Sequence, residues 1–206
     1  MLRINLRYLV EVVERFGLCP WARGARESGA VERRVLAGLS VDATLAAFDE
    51  VAALPGALIG LLVFPEAAAA TVRDAEAFDR FCESVRQALA RRAGGRPAMA
   101  MAAFHPRAVY SLKTPAQLVP LLRRSPDPTI QLVRFSSLDQ LKNGSGKFLF
   151  DGSAAAFAEL ERRKTEVPIS DRIAADNLAT VNHVGPEALQ AILDDIMADR
   201  ARSYPR

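Results

Sequence analysis

Residues 57–64 read ALIGLLVF, a run without a charged or hydrogen-bonding side chain. Its length suits a strand better than a core helix, and a strand apolar on both faces belongs in the middle of a sheet covered on both sides. The neighbouring segments are read outward from it. Val31, Arg33 and Val35 alternate with their neighbours, which predicts a half-exposed strand over 31–36, nearer a sheet edge. AMAMAAF at 98–104 predicts a second buried strand, and 129–135 a fourth.

Helical periodicity fills the gaps. Leu2, Leu6, Leu9, Val10, Val13 and Phe16 form the expected inner face of a helix over 2–18, with Gly17 placed to end it. Asp42 is the expected cap of a helix burying Leu45, Phe48 and Ala52. Asp74 opens a long helix to about Arg92, with Phe78, Phe81, Cys82, Val85 and Leu89 as its apolar stripe. Thr114, Pro115 and Gln117 supply a cap, a first-turn proline and a capping-box glutamine for a helix that Pro120 keeps short. A small helix is expected over 138–142, and further helices near 153–166, 170–182 (capped by Ser170) and 186–201. GSGK at 144–147 is not a phosphate loop, because Leu141 stands where the first glycine is needed and no Ser or Thr follows Lys147.

Together these segments predict an α/β fold: a mixed sheet of about four strands, flanking helices and a helical C-terminal tail. The α+β ferredoxin-like arrangement is the alternative. One domain over 1–206 is expected, with 144–206 packed on the core as a helical extension. The chain is long enough, and half apolar, so it is no disordered segment. Two cysteines exclude a disulfide scaffold. No run approaches the roughly 20 apolar residues of a membrane span, and Arg3, Arg7, Glu11 and Glu14 interrupt any signal-like N-terminus. A cytoplasmic location and no membrane partner are therefore expected. Charge is spread thinly: 19 Lys/Arg against 14 Asp/Glu over 1–144, and 8 against 10 after it. The basic clusters are short pairs, Arg33-Arg34, Arg91-Arg92 and Arg123-Arg124, with Arg162-Arg163-Lys164, and most read as solvated faces or helix C-terminal charges. Without an aromatic-laced basic stripe, nucleic acid is not the expected partner.

Four polar residues precede proline: Cys19, His105, Ser125 and Asp127. A residue before proline is pushed toward extended geometry, so each marks the end of an element, where site residues commonly sit. Cys19 lies beside Trp21, with Arg23 and Arg26 near enough in sequence to favour its thiolate. It is either a reactive thiol or a small buried residue against the indole. His105 is either a general base or a satisfied strand-end histidine. Cys82 reads as core, and His183 as a cation near a helix C-terminus. A zinc site from Cys19, His105 and His183 would lack any close-spaced ligand pair.

Gly17-Leu18-Cys19-Pro20-Trp21-Ala22, Phe104-His105-Pro106 and Arg124-Ser125-Pro126-Asp127-Pro128-Thr129 resemble, in order and spacing, the signatures of the uncharacterised bacterial domain-of-unknown-function family 1415. Asp171-Arg172 with Asn177, Leu178, Ala179 and Thr180 resembles its C-terminal signature. The family pattern usually has an aromatic at the place of Asp127, histidine at Gln131, glutamate at Phe135 and phenylalanine at Trp21, and a shorter 144–168 segment. The resemblance implies no activity, but it groups Cys19, His105, Arg124 and Ser125 as one unit.

Two functions compete. In a small-molecule enzyme, Cys19 is nucleophile or redox thiol, His105 the base, and Arg124 with Ser125 an anion clamp. Trp21, Asp127 and Thr129 then line the binding site of an anionic small molecule. In a non-catalytic binding or adaptor protein the same motifs are structural corners, and Arg124 holds a carboxylate-bearing partner. A mononuclear metal protein using Cys19 and His105 is a third reading. No cofactor is named by the sequence. One geometric condition applies to all: were the third and fourth strands parallel, His105 and Arg124 would lie about 20 Å apart at opposite sheet edges. The short, proline-strained helix between them is a poor crossover, so antiparallel pairing is expected. That pairing would gather His105, Arg124 and Ser125 at one rim, with Cys19 brought there by the end of the first helix.

Overall fold

Strands β1 (Val31–Val35), β2 (Ile59–Val63), β3 (Met99–Phe104) and β4 (Thr129–Arg134) form one sheet of order β1-β2-β4-β3. These coordinates are a computed structural model, describing residues 2–19, 22–65, 74–93, 97–135 and 169–203, the side chains of 93 and 169–173 excepted. The helices expected at 138–142 and 153–166, the turn at 144–147 and Trp21 lie outside these. β2 is interior and buried throughout, and β1 is the half-exposed edge the alternation predicts. β1 and β2 pair in parallel, while β4 runs antiparallel to both β2 and β3. The sheet is therefore mixed, with the ends of β1, β2 and β3 and the start of β4 along one rim. The strand order, with its parallel pair at the edge instead of the centre, and packing on both faces distinguish it from the ferredoxin-like alternative.

Seven helices lie among the described residues: α1 (Leu2–Tyr8), α2 (Ala22–Glu27), α3 (Val41–Ala53), α4 (Ala75–Ala93), α5 (Pro115–Leu122), α6 (Ile169–Val184) and α7 (Pro186–Ser203). On one face, Leu62, Phe64, Ile130, Leu132 and Met99 pack against Leu45, Phe48 and Val51 of α3 and Phe78, Cys82 and Val85 of α4. The opposite face carries Ile59, Leu61 and Val63, with Ala25 and Ala30 against them. A separate cluster joins α1, α5, α6 and α7 through Ile4, Tyr8, Leu118, Leu121, Val181, Leu189, Leu193 and Ile196. The buried residues of α6 and α7 lie in this cluster, which reaches the sheet at partly buried Phe104 of β3.

Other expectations are corrected. β3 is an edge strand buried fully only at Met99, because its alternate residues lack a second strand and a complete helical cover. Ser40, not Asp42, caps α3, its hydroxyl accepting from Ala43 N–H. Thr114 caps α5 as predicted, its hydroxyl accepting from Gln117 N–H. The first helix is rotated from the expected face: Val13 is buried and Leu9 and Phe16 are packed as expected, but Ile4, Tyr8 and Val12 are also inside, while Leu2, Leu6 and Val10 are 40–49% exposed. Apolar residues span more than half the circumference of this stretch, so its sequence leaves the centre of the inner face open. Beyond Tyr8 it widens into π-helical turns over Leu9–Glu14, which shift the side-chain phase before Gly17 ends the segment at φ 63°.

Candidate functional site

The antiparallel register sets Phe104 opposite Thr129, so the turn after β3 and the turn before β4 are adjacent. His105 N–H donates to Arg123 O at 2.9 Å, and Arg124 Nε donates to Pro106 O at 3.0 Å. The short α5 returns the chain to the rim it left, so no full crossover is needed. His105, Arg124 and Ser125 are thus brought together.

Prolines govern how this rim is satisfied. Pro126 and Pro128 remove two backbone donors beside Asp127, and side-chain hydroxyls take their place. Ser125 and Thr129 both donate to the Asp127 carbonyl. The Asp127 carboxylate is buried and accepts from Arg200 Nε of α7 at 2.7 Å, while Arg200 Nη2 reaches Pro65 O at 3.2 Å. A buried carboxylate needs such a partner, so Asp127 and Arg200 together pin the last helix to the rim. Arg124 also donates to Gln190 Oε1 of α7 at 2.9 Å and lies over the Tyr110 ring.

Strand alternation divides the remaining groups. The His105 ring packs on Phe78 of α4 at 5.7 Å, and its Nδ1 accepts from Arg107 N–H at 3.1 Å. An accepting Nδ1 holds no proton, which places the ring proton on Nε2. Phe104, one residue earlier, points to the other side and joins the cluster containing Cys19, Tyr8 and Leu122. The ring of His105 and the thiol of Cys19 therefore belong to different packing clusters. Asn177 of α6 ties down the Cys19 turn by donating to Leu18 O at 3.3 Å.

The charges expected to act on Cys19 are committed elsewhere. Arg26 Nε meets the buried Glu14 carboxylate at 2.6 Å, and Arg23 Nε approaches it at 3.9 Å. Arg123, which the sequence reading left as one of a basic pair, is the residue missed. It is half-buried, with its guanidinium over the Phe104 ring at 5.7 Å. Among the described residues it has neither an ion pair nor a side-chain hydrogen bond. Burial pushes its pKa below the ordinary arginine value, and Tyr8 partly offsets this. Tyr8, whose hydroxyl donates to Leu122 O, is raised by burial, lowered by Arg123 and raised again by Cys19. One hydroxyl thus senses both the guanidinium and the thiol. The sequence signal for Arg123 was faint: a charge one residue beyond the apolar Leu121-Leu122 of α5.

Among the described residues no three His, Cys, Asp or Glu side chains gather as a metal-binding set. None of the described helices is long and apolar enough to cross a membrane. The model of a protein family described as "Protein of unknown function (DUF1415)" matches residues 4–146. The C-terminal signature around Asn177 lies beyond that span. No curated protein and no solved structure matches the chain.

Proposed function

We propose, for a chain that belongs to the DUF1415 family, that it binds a small anionic molecule at Arg123 and acts on it with the Cys19 thiol. The observation that carries this reading is the Arg123 guanidinium, desolvated on Phe104 and in no ion pair among the described residues, with Asp79 acting on it only as a more distant charge. A half-buried cation without a contacting carboxylate is costly, and an anionic ligand offsets that cost. Cys19 is partly accessible and lies in the same cluster as Phe104 and Tyr8. Arg124, Ser125, Asp127 and Thr129 serve as the frame of the rim in this reading, and His105 as a positioning group for the turn that follows it. The adaptor reading stays as the second, favoured by the inward direction of the Ser125, Thr129 and Arg124 hydrogen bonds.

Thiol labelling separates the two. Burial pushes the Cys82 thiol up to about 12. At pH 8 its thiolate is scarcer than that of a free cysteine by roughly a thousandfold, so iodoacetamide should modify Cys19 first. The Cys19 rate should rise with an apparent pKa below the free value of about 8.5. Inorganic phosphate should protect it, and Arg123→Met should abolish that protection. A Cys19 that titrates as a free thiol and ignores both phosphate and Arg123→Met sinks the enzymatic reading and leaves the adaptor.

A further inference from the structure

A second desolvated arginine lies on the same face of the sheet as Phe104, the ring under Arg123, but at the opposite edge. Arg33 is the middle residue of β1, on the face toward α1, and its Nε donates to the Oδ1 of buried Asn5 at 3.2 Å. Its Nη2 is shut from solvent and has no hydrogen-bond partner. A buried guanidinium N–H left unmade is strongly disfavoured, and a methionine of similar length would avoid it.

The sheet register shows what stands beside it. Arg33 pairs with Leu61, Leu61 with Gln131, and Gln131 with Ala102, so these four form one row across the same face. Gln131 is only half-buried although it lies mid-strand in the interior β4, and its amide bonds to no other described residue. Arg33 and Gln131 are two strand spacings apart, about 10 Å between backbones, a gap that a long arginine and a glutamine can close on a ligand over Leu61. Ala100 and Ala102 of β3 keep the next part of that face shallow and apolar.

We propose that Arg33, Asn5 and Gln131 form a binding site for a small monocarboxylate. With Nε held by Asn5, the Nη1–Nη2 edge remains, and that fork matches the two oxygens of a carboxylate. The Gln131 amide donates to the same group, and a short apolar tail lies along half-buried Ala102, beside buried Leu61. Arg33 is the one charged residue of the row, so a monoanion balances it and a phosphate dianion does not. Arg33 is half-buried, so the ligand reaches this edge by displacing what closes over Nη2 while the bond to Asn5 is kept. Asn5 is a positioning residue: it selects which edge is presented.

The test is a nuclear magnetic resonance titration of the full chain with propionate, with propionamide and inorganic phosphate as comparisons. Propionate is expected to shift the Arg33 Nε–Hε and Gln131 side-chain amide signals saturably, with propionamide and phosphate binding more weakly. Arg33→Met should weaken propionate by about 10- to 100-fold, the range for a charged hydrogen bond. Arg123→Met should leave the propionate shifts at the Arg33 and Gln131 signals unchanged, which separates this site from that of the proposed function. The proposal is overturned by an affinity at these signals that survives Arg33→Met, by propionamide or phosphate shifting these same signals as tightly as propionate, or by no saturable shift of them. Gln131→Leu provides a second test should Arg33→Met fail to fold: it should weaken propionate several-fold, and an unchanged affinity overturns the site.

Discussion

Toward α3 and α4 the sheet presents Leu62, Phe64, Ile130, Leu132 and Met99, while toward α1 it presents Leu61 and Val63 among Arg33, Gln131 and Thr129. The first face is closed by packing alone. Phe64 meets Phe78 and Phe81 edge-on at 5.7 and 5.8 Å, the favoured arrangement for aromatic quadrupoles. The second face buries polar atoms, one of them unsatisfied. The two sides of one sheet thus differ in what closes them, since a buried donor without a partner detracts from folding, and the proposed sites both draw on the second.

The comparison is tested most strongly at Phe78, which is fully buried under both Phe64 and His105. Phe78→Ala should cost about 3–5 kcal/mol, measured by urea unfolding. A loss under about 1 kcal/mol would mean that this face is not the structural one. Gly60 comes next. A Cβ there would stand 2.7 Å from Val51 Cγ1 and 3.2 Å from Leu132, both rigidly packed. Gly60→Ala should therefore destabilise by about 1–3 kcal/mol, with the same measurement as check. The smallest effect belongs to the polar face. Arg33→Met and Arg123→Met should change stability by no more than about 1 kcal/mol, and in the stabilising direction, because each replaces a desolvated charge by an apolar chain. Losses as large as that of Phe78→Ala would show the two arginines to be structural and erase the contrast.

Much of the fold was legible in local residues. ALIGLLVF could only be an interior strand, and Val31, Arg33 and Val35 announced the edge. The Thr114-Pro115 start and the strained Pro120 led from helix length to antiparallel β3 and β4. Of the candidate site, the meeting of His105, Arg124 and Ser125 was legible because proline fixes chain direction and helix length limits reach. The inner face of α1 was not, since Leu2, Leu6 and Val10 are as apolar as Ile4, Tyr8 and Val12. Nor was the separation of the His105 ring from the Cys19 cluster, although period-two alternation through Phe104 and His105 carried the hint.

What the sequence determined by itself is therefore the set of elements and the rim where two proline-bounded turns meet. Those follow from steric and hydrogen-bonding rules that act over a few residues. Only the tertiary structure decided which charges lose their water: Arg26 found Glu14, Arg200 found Asp127, and Arg33 and Arg123 are desolvated without an ion pair among the described residues. Burial of a charge depends on elements brought over it from far along the chain. No local pattern in the pairs Arg33-Arg34 and Arg123-Arg124 distinguishes the member that finds acceptors, Arg34 or Arg124, from the one in no ion pair.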